Sequence, residues 1–268
     1  MATIDHRPVS AGRRAWIVVA ERELRDLWLA GRGLPLLLAY TLLLSVTSYL
    51  VAANQALNFL EQREAVGLTL QVAVAVGALL VLLGAADAIS GERERGTLES
   101  LLLSPAPRCA LVLGKAVAAL SLWIAAWIVS LPYVWYLGRG VGVVGVAGAS
   151  SLVVGSLLAL FLAGYGLLMS ATVSSNRVSL SLSMFMLLAL YAPTQMPTAM
   201  QHSWIGELLL RVDPFTAGLR YLGNVIISGR GPGHDAGWLS GPLVAAVVTT
   251  AVALWVADRL TLHGGDQA

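Results

Sequence analysis

The chain has 268 residues, of which 57% are hydrophobic and only 12% charged, with a mean hydropathy of +0.76 and a formal net charge of +2. Soluble domains carry about 25% charged residues, so half that level in a chain of this length excludes a soluble globular domain and indicates an integral membrane protein. The single cysteine, Cys109, excludes an internal disulfide framework and any cysteine metal cluster, and reads as an inert residue near the membrane interface.

No cleavable signal peptide is expected, because the first long apolar run begins near Gly33 behind six arginines. Residues 1–12 are polar and read as a flexible tail. Over residues 13–30, Ile17, Ala20, Leu24, Leu27 and Trp28 recur at spacings of three and four, with Glu21, Arg22, Arg25 and Asp26 on other faces. With Trp16 and Trp28 at its borders, this segment is expected to be a helix lying in the membrane interface.

Stretches of about 20 residues without charge, the length that crosses ~30 Å of hydrocarbon, then define spans at 33–53, 66–86, 116–135 and 152–173, followed by a short fifth at 178–192 that ends at Pro193 and a sixth at 243–257 closed by Asp258 and Arg259. Twelve of the seventeen Lys and Arg residues fall on the side of the N-terminus, which places both termini and residues 90–105 in the cytoplasm. Tyr133, Trp135 and Tyr136 then close the third span at the outer face. Before the sixth span, residues 204–227 hold two short apolar helices. The first is Trp204–Arg211. The second is opened by Asp213 as N-cap and Pro214 as first helical residue, and carries Phe215, Leu219, Leu222 and Ile226 at helical spacing. Both are too short to span, which indicates re-entrant or interfacial elements packed on protein. The expected fold is an all-α integral membrane protein.

Sites for chemistry are scarce. Gly140–Gly145 has the glycine spacing of a dinucleotide loop but sits between two spans with no acidic residue before Glu207, so it reads as a flexible outer loop. Gly114-Lys115 resembles the end of a phosphate-binding loop, yet Cys109 replaces the first glycine and Ala116 the Mg-binding hydroxyl residue. No catalytic or metal-binding set is visible, and no cofactor is expected on this chain. The four histidines lie in tails and loops, and Ser150-Ser151 has no base partner in the spans. Nothing charged is expected mid-span, which argues against an ion-coupled carrier.

The stretch Ser90-Gly91-Glu92-Arg93-Glu94-Arg95-Gly96-Thr97-Leu98-Glu99-Ser100-Leu101-Leu102-Leu103-Ser104-Pro105 is the charged exception. Ser90 reads as the cap of a helix running to Ser104-Pro105, with Glu92 and Glu94 near its positive end and Arg95 paired to Glu99. Three glutamates add nothing to a topology signal, so the segment reads as a docking element. Together with Asp87-Ala88-Ile89 before it, and Arg108 and Leu113-Gly114-Lys115 after it, this stretch resembles the signature of ABC-2 type permeases, the membrane subunits of ABC exporters. Only residues 90–115 are specific, although Glu23-Leu24-Arg25-Asp26, the six spans and Val212-Asp213-Pro214-Phe215-Thr216 fit too.

The resemblance implies a plasma-membrane dimer, homo- or heteromeric, in which each permease contacts a cytoplasmic ABC ATPase subunit that binds ATP and Mg. No nucleic acid is expected as a partner. Glu92, Arg93, Glu94, Arg95, Gly96, Thr97 and Glu99 would form the coupling helix that docks on the ATPase. Asp213, Pro214 and Phe215 would belong to an outer exit gate for a lipid, drug or glycan. The rival reading is a membrane scaffold that recruits an ATPase and moves nothing.

Overall fold

Long apolar stretches can satisfy their backbone within lipid only as helices or closed barrels, and this chain uses helices. The structure, a computed structural model, describes residues 11–29, 32–53, 59–98, 107–197, 201 and 203–257. Every regular element among the described residues is helical: α1 (Ala11–Trp28), α2 (Gly33–Ala53), α3 (Phe59–Asp87), α4 (Ser90–Glu94), α5 (Arg108–Gly138), α6 (Val144–Thr172), α7 (Asn176–Tyr191), α8 (Trp204–Val212), α9 (Pro214–Ile226) and α10 (Ser240–Ala257), with short 3-10 turns at Ala192–Gln195 and Ala236–Leu239. Six helical stretches, built on α2, α3, α5, α6, α7 and α10, are long and apolar enough to cross a membrane. Five helices begin before the spans expected from the sequence; in α3 and α5 helical backbone continues through flanking charged residues such as Arg63, Glu64, Arg108 and Lys115. Much of the tail, together with Glu99, Ser104-Pro105 and Asp258-Arg259, lies outside the described residues.

Helices α3 and α6 form the centre, packed on each other and on α5, with α10 against α6. Small residues permit this closeness, as is usual where lipid offers no hydrophobic drive between helices. A Cβ at Gly166 would stand 3.1 Å from the Leu82 carbonyl oxygen and the Ala86 nitrogen of α3. At Gly164 it would stand 2.9 Å from the backbone of α10 at Thr249. The Trp123 indole of α5, 2% exposed, is wedged between Gly77 of α3 and Gly155 of α6, and its Nε1 donates to Ser156 Oγ at 3.1 Å.

Helix α2 is peripheral. It touches the core through Tyr40, Leu44 and Ser48, one stripe at a spacing of four, and leaves Leu34, Leu38, Leu42 and Val46 exposed. Helix α1 lies across the start of α5, where Gly114 admits it: a Cβ there would meet the Ala20 nitrogen at 3.0 Å.

Between α5 and α6 the glycine-rich stretch forms a close turn, not the flexible loop expected from its composition. Gly142 takes φ +68°, a conformation open to glycine, while the flanking Val141 and Val143 turn into the core. Gly114-Lys115 is helical, which removes its resemblance to a phosphate loop.

Helix α9 is buried on most of its surface and reaches into the bundle. Its Gly218 rests on Val154 and Leu158 of α6. Val154 lies ten residues into α6, about 15 Å along it at 1.5 Å per residue. Helix α8 instead exposes Trp204, Ile205, Leu208 and Val212 and buries Gly206 and Leu210.

Candidate functional site

Two places concentrate polar side chains in this apolar bundle, one at each end. At the first, α3 leads through Ala88 and Ile89 into the single-turn α4. Ser90 does not cap that turn. It is fully buried within it, donates to the Ala86 carbonyl at 2.8 Å, and contacts Asn176 Oδ1 at 2.9 Å. The expected continuous helix over 90–105 is interrupted. Gly96 turns to φ +70°, and the Thr97 N–H returns to the Glu92 carbonyl at 3.0 Å, which ends α4 in the manner of a glycine C-terminal stop.

The charged residues of this segment are mostly engaged within the chain. Ser170 Oγ of α6 accepts the N–H groups of Ile89 and Ser90 at 2.9 and 2.8 Å. The Arg93 guanidinium caps the C-terminal end of α6 by donating to the carbonyls of Ala171, at 3.2 Å, and Val173. Glu94 accepts the Asn176 N–H at 2.7 Å and the Ser175 hydroxyl at 3.1 Å, at the start of α7. Asn176 Nδ2 donates to Asp87 at 2.7 Å, and Asp87 also pairs with Arg32 ahead of α2.

On the other flank Lys115, 2% exposed in the second turn of α5, donates to Glu92 at 2.7 Å and to Glu23 of α1 at 2.9 Å. This short charged segment therefore ties α1, α3, α5, α6 and α7 together. Arg95 and Thr97 remain at the exposed tip, with Arg95 within 3.9 Å of Asp87.

In α1, Trp28 Nε1 donates to Ser121 of α5 at 3.0 Å, while Arg22 and Arg25 stay exposed in pairs with Asp26 and Glu21. Trp16 is partly exposed at the other end of α1.

At the opposite end of the bundle Asp213 is the N-cap of α9. Its carboxylate accepts the N–H groups of Phe215 and Thr216 at 3.3 and 2.9 Å, and the Thr216 hydroxyl. Burial raises its pKa above the ordinary carboxylate value, and the Thr216 bonds oppose that shift. Asp213, Pro214 and Phe215 are all buried at the start of α9, which they hold in place. Asp213→Ala is expected to remove about 1–2 kcal/mol of stability, readable as a lower melting temperature in detergent; an unchanged value would show that the cap is dispensable.

Beside α9 lies a cavity of about 750 Å³, inside the ~300–1,000 Å³ range of small-molecule sites. Helix α3 forms its floor through Val72, Ala75, Val76 and Leu79, with α2 and α7 at its sides and α9 above. Among the described residues, no three His, Cys, Asp or Glu side chains gather as metal ligands.

A family profile described as ABC-2 family transporter protein matches residues 17–230, from α1 to the turn after α9. The chain belongs to that family. It is a multi-pass membrane protein, the permease component of an ABC transporter. Comparison with curated proteins finds no match.

For this ABC-2 permease, sequence reasoning singled out Glu92–Thr97 and included Asp87 and Lys115 in the same signature, but not as partners that hold the segment, and it did not reach Ser170 or Asn176. Asp87, Lys115, Ser170 and Asn176 carry the network. Lys115 had a visible signal, as a lone cation followed by more than twenty uncharged residues. Ser170 had none, since membrane helices are rich in serines that bond their own backbone.

Proposed function

We propose that this permease exports its substrate, driven by a separate ABC ATPase that binds ATP and Mg and docks at the Arg95–Thr97 tip. The single observation that carries this reading is the tie of that tip to five helices. A displacement of α4 reaches α6 and α7 through Ser170, Arg93, Glu94 and Asn176, and α1 and α5 through Lys115. Residues Glu92, Arg93 and Glu94 thereby act as transmitters inside the chain, with Gly96 shaping the tip for contact. Glu99 completes the proposed docking set.

In this reading the Ser90 end and both termini face the cytoplasm, as the Lys/Arg bias supports, and the exposed apolar faces of α2 and α7 suit lipid or a second permease. Helix α1, with Trp16, Arg22, Arg25 and Trp28, lies along the cytoplasmic interface. Helices α8 and α9 form the outer gate, with Asp213, Pro214 and Phe215 as its fixed hinge. The cavity beside α9 supports transport over a recruiting scaffold, which has no need of one.

With Cys109 replaced by Ser, a cysteine at Thr97 is expected to cross-link to the ATP-hydrolysing subunit in native membranes, and one at Gly231 is not. The reading fails if the two positions react alike. Arg95→Glu should leave the melting temperature of the permease within a degree or two, as expected for an exposed charge worth about 0–1 kcal/mol, yet reduce ATPase co-purification at least tenfold. Unreduced co-purification would refute the docking assignment.

A further inference from the structure

We infer that the cavity beside α9 binds an amphiphile with an acidic head, the head at Arg220 and the apolar chain along α3. This names a substrate class and rests on the export reading, although its test does not require the ATPase.

Polarity along the cavity is divided. Towards the α9 end stand Gln71, Gln195, Gln201, Arg220 and Asn224, with the hydroxyl residues Tyr191, Thr194, Thr216 and Ser228. Beyond Gln71 the floor is Val72, Ala75, Val76 and Leu79, faced by Leu187 and Leu188 of α7, with no polar side chain among the described lining residues. From Gln71 to Leu79 is eight residues, about 12 Å of helix, so the apolar part suits an extended hydrocarbon chain more than a compact polar solute.

Leu43 of α2 and Leu188 of α7 line the cavity while being 42% and 65% exposed, so the space opens sideways between those helices. Amphiphiles already in the bilayer can enter by that route without leaving it.

Charge decides the head. Arg220 is the one charged side chain among the described lining residues, and none of them is acidic. It forms no ion pair among the described residues. Its guanidinium donates to Gln201 Oε1 and lies over Trp238, with its carbon 5.5 Å from the ring centroid. Both contacts orient a guanidinium and neither neutralises it. A half-buried cation held in place above an aliphatic trough, with amide side chains beside it, is complementary to a carboxylate or phosphate carried on an apolar chain. A neutral drug would leave that charge without a counter-ion.

The test uses the purified full-length permease without its ATPase, in phosphatidylcholine nanodiscs at pH 8. The probes are dodecanoic acid bearing a terminal fluorophore and the methyl ester of the same molecule. The acid is expected to bind at least tenfold more tightly than the ester. Arg220→Gln should lower the acid to the affinity of the ester, Arg220→Lys should retain most of the preference, and Ala75→Trp should abolish binding of both. Inorganic phosphate at millimolar concentration should not displace the acid.

Equal binding of acid and ester to the unmodified protein overturns the proposal, and that comparison needs no variant to fold. It is overturned too if folded Arg220→Gln keeps the preference, if folded Ala75→Trp binds both probes normally, or if phosphate competes, which would indicate a site for the anion alone. A failure of export itself would appear instead in the Thr97 cross-linking experiment.

Discussion

Lys115→Met is expected to destabilise the permease by about 3–5 kcal/mol, the cost of leaving buried charges without their partner. The lysine is 2% exposed, and its two carboxylates, Glu23 and Glu92, are 15% and 13% exposed. Removing the ammonium leaves two like charges facing each other where water has little access. Glu92 is in the weaker position of the two, because its Oε2 is already buried without a hydrogen-bond partner. Thermal unfolding in detergent reads the loss.

Combining Lys115→Met with Glu23→Gln and Glu92→Gln should recover most of it, since an uncharged set of similar volume replaces a buried charged one at little cost. A loss below about 1 kcal/mol for the single variant, the scale of an exposed pair, would mean that the three groups are hydrated and do not clamp α1 to α5. The rescued triple variant separates folding from coupling. It restores packing without the ionic tie, so a permease that unfolds normally but no longer stimulates its ATPase places Lys115 in the transmission path.

The six spanning helices were legible in the sequence because crossing a membrane imposes one rule, about 20 residues without charge, and each span obeys it alone. The segment after α3 was legible only as a charged exception. Its residue types are the same whether the side chains meet a partner protein or fold back on their own chain. What decides between the two lies about eighty residues away, in Ser170, Ala171, Val173 and Asn176, at the junction of α6 and α7. The break at Gly96 was hidden for a local reason: glycine is tolerated inside a helix at a cost of about 1 kcal/mol, so only the positive φ reveals a stop. The cap formed by Asp213 and Pro214 was readable, since it is completed within three residues. Its burial was not, because that depends on where α6 admits α9.

Gly155→Val is expected to be the most damaging single substitution in the membrane part of the bundle. A Cβ at this position would stand 2.0 Å from Cη2 and Cζ2 of Trp123, well inside contact distance. The indole has no direction in which to retreat. On its other face the Cε3 and Cζ3 atoms would be 2.9 Å from a Cβ at Gly77, so α3 already touches the ring. Rotation of the ring would break the Nε1 bond to Ser156.

Overpacking of this kind costs about 1–3 kcal/mol for a single added methylene; Gly155→Ala should fall at the upper end and Gly155→Val beyond it. Trp123→Leu alone should cost about 3–5 kcal/mol through the cavity it leaves. The double variant Gly155→Val/Trp123→Leu should be more stable than the sum of the two losses, because the new side chain occupies the space of the missing indole. Strict additivity in that cycle would show that the ring does not rest on Gly155. Helix α6 carries both this wedge and the Ser170 anchor of α4, about 22 Å apart along its axis at 1.5 Å per residue. Loosening the wedge should therefore weaken ATPase stimulation without altering the docking tip, and the Thr97 cross-link should persist in any Gly155 variant that still folds.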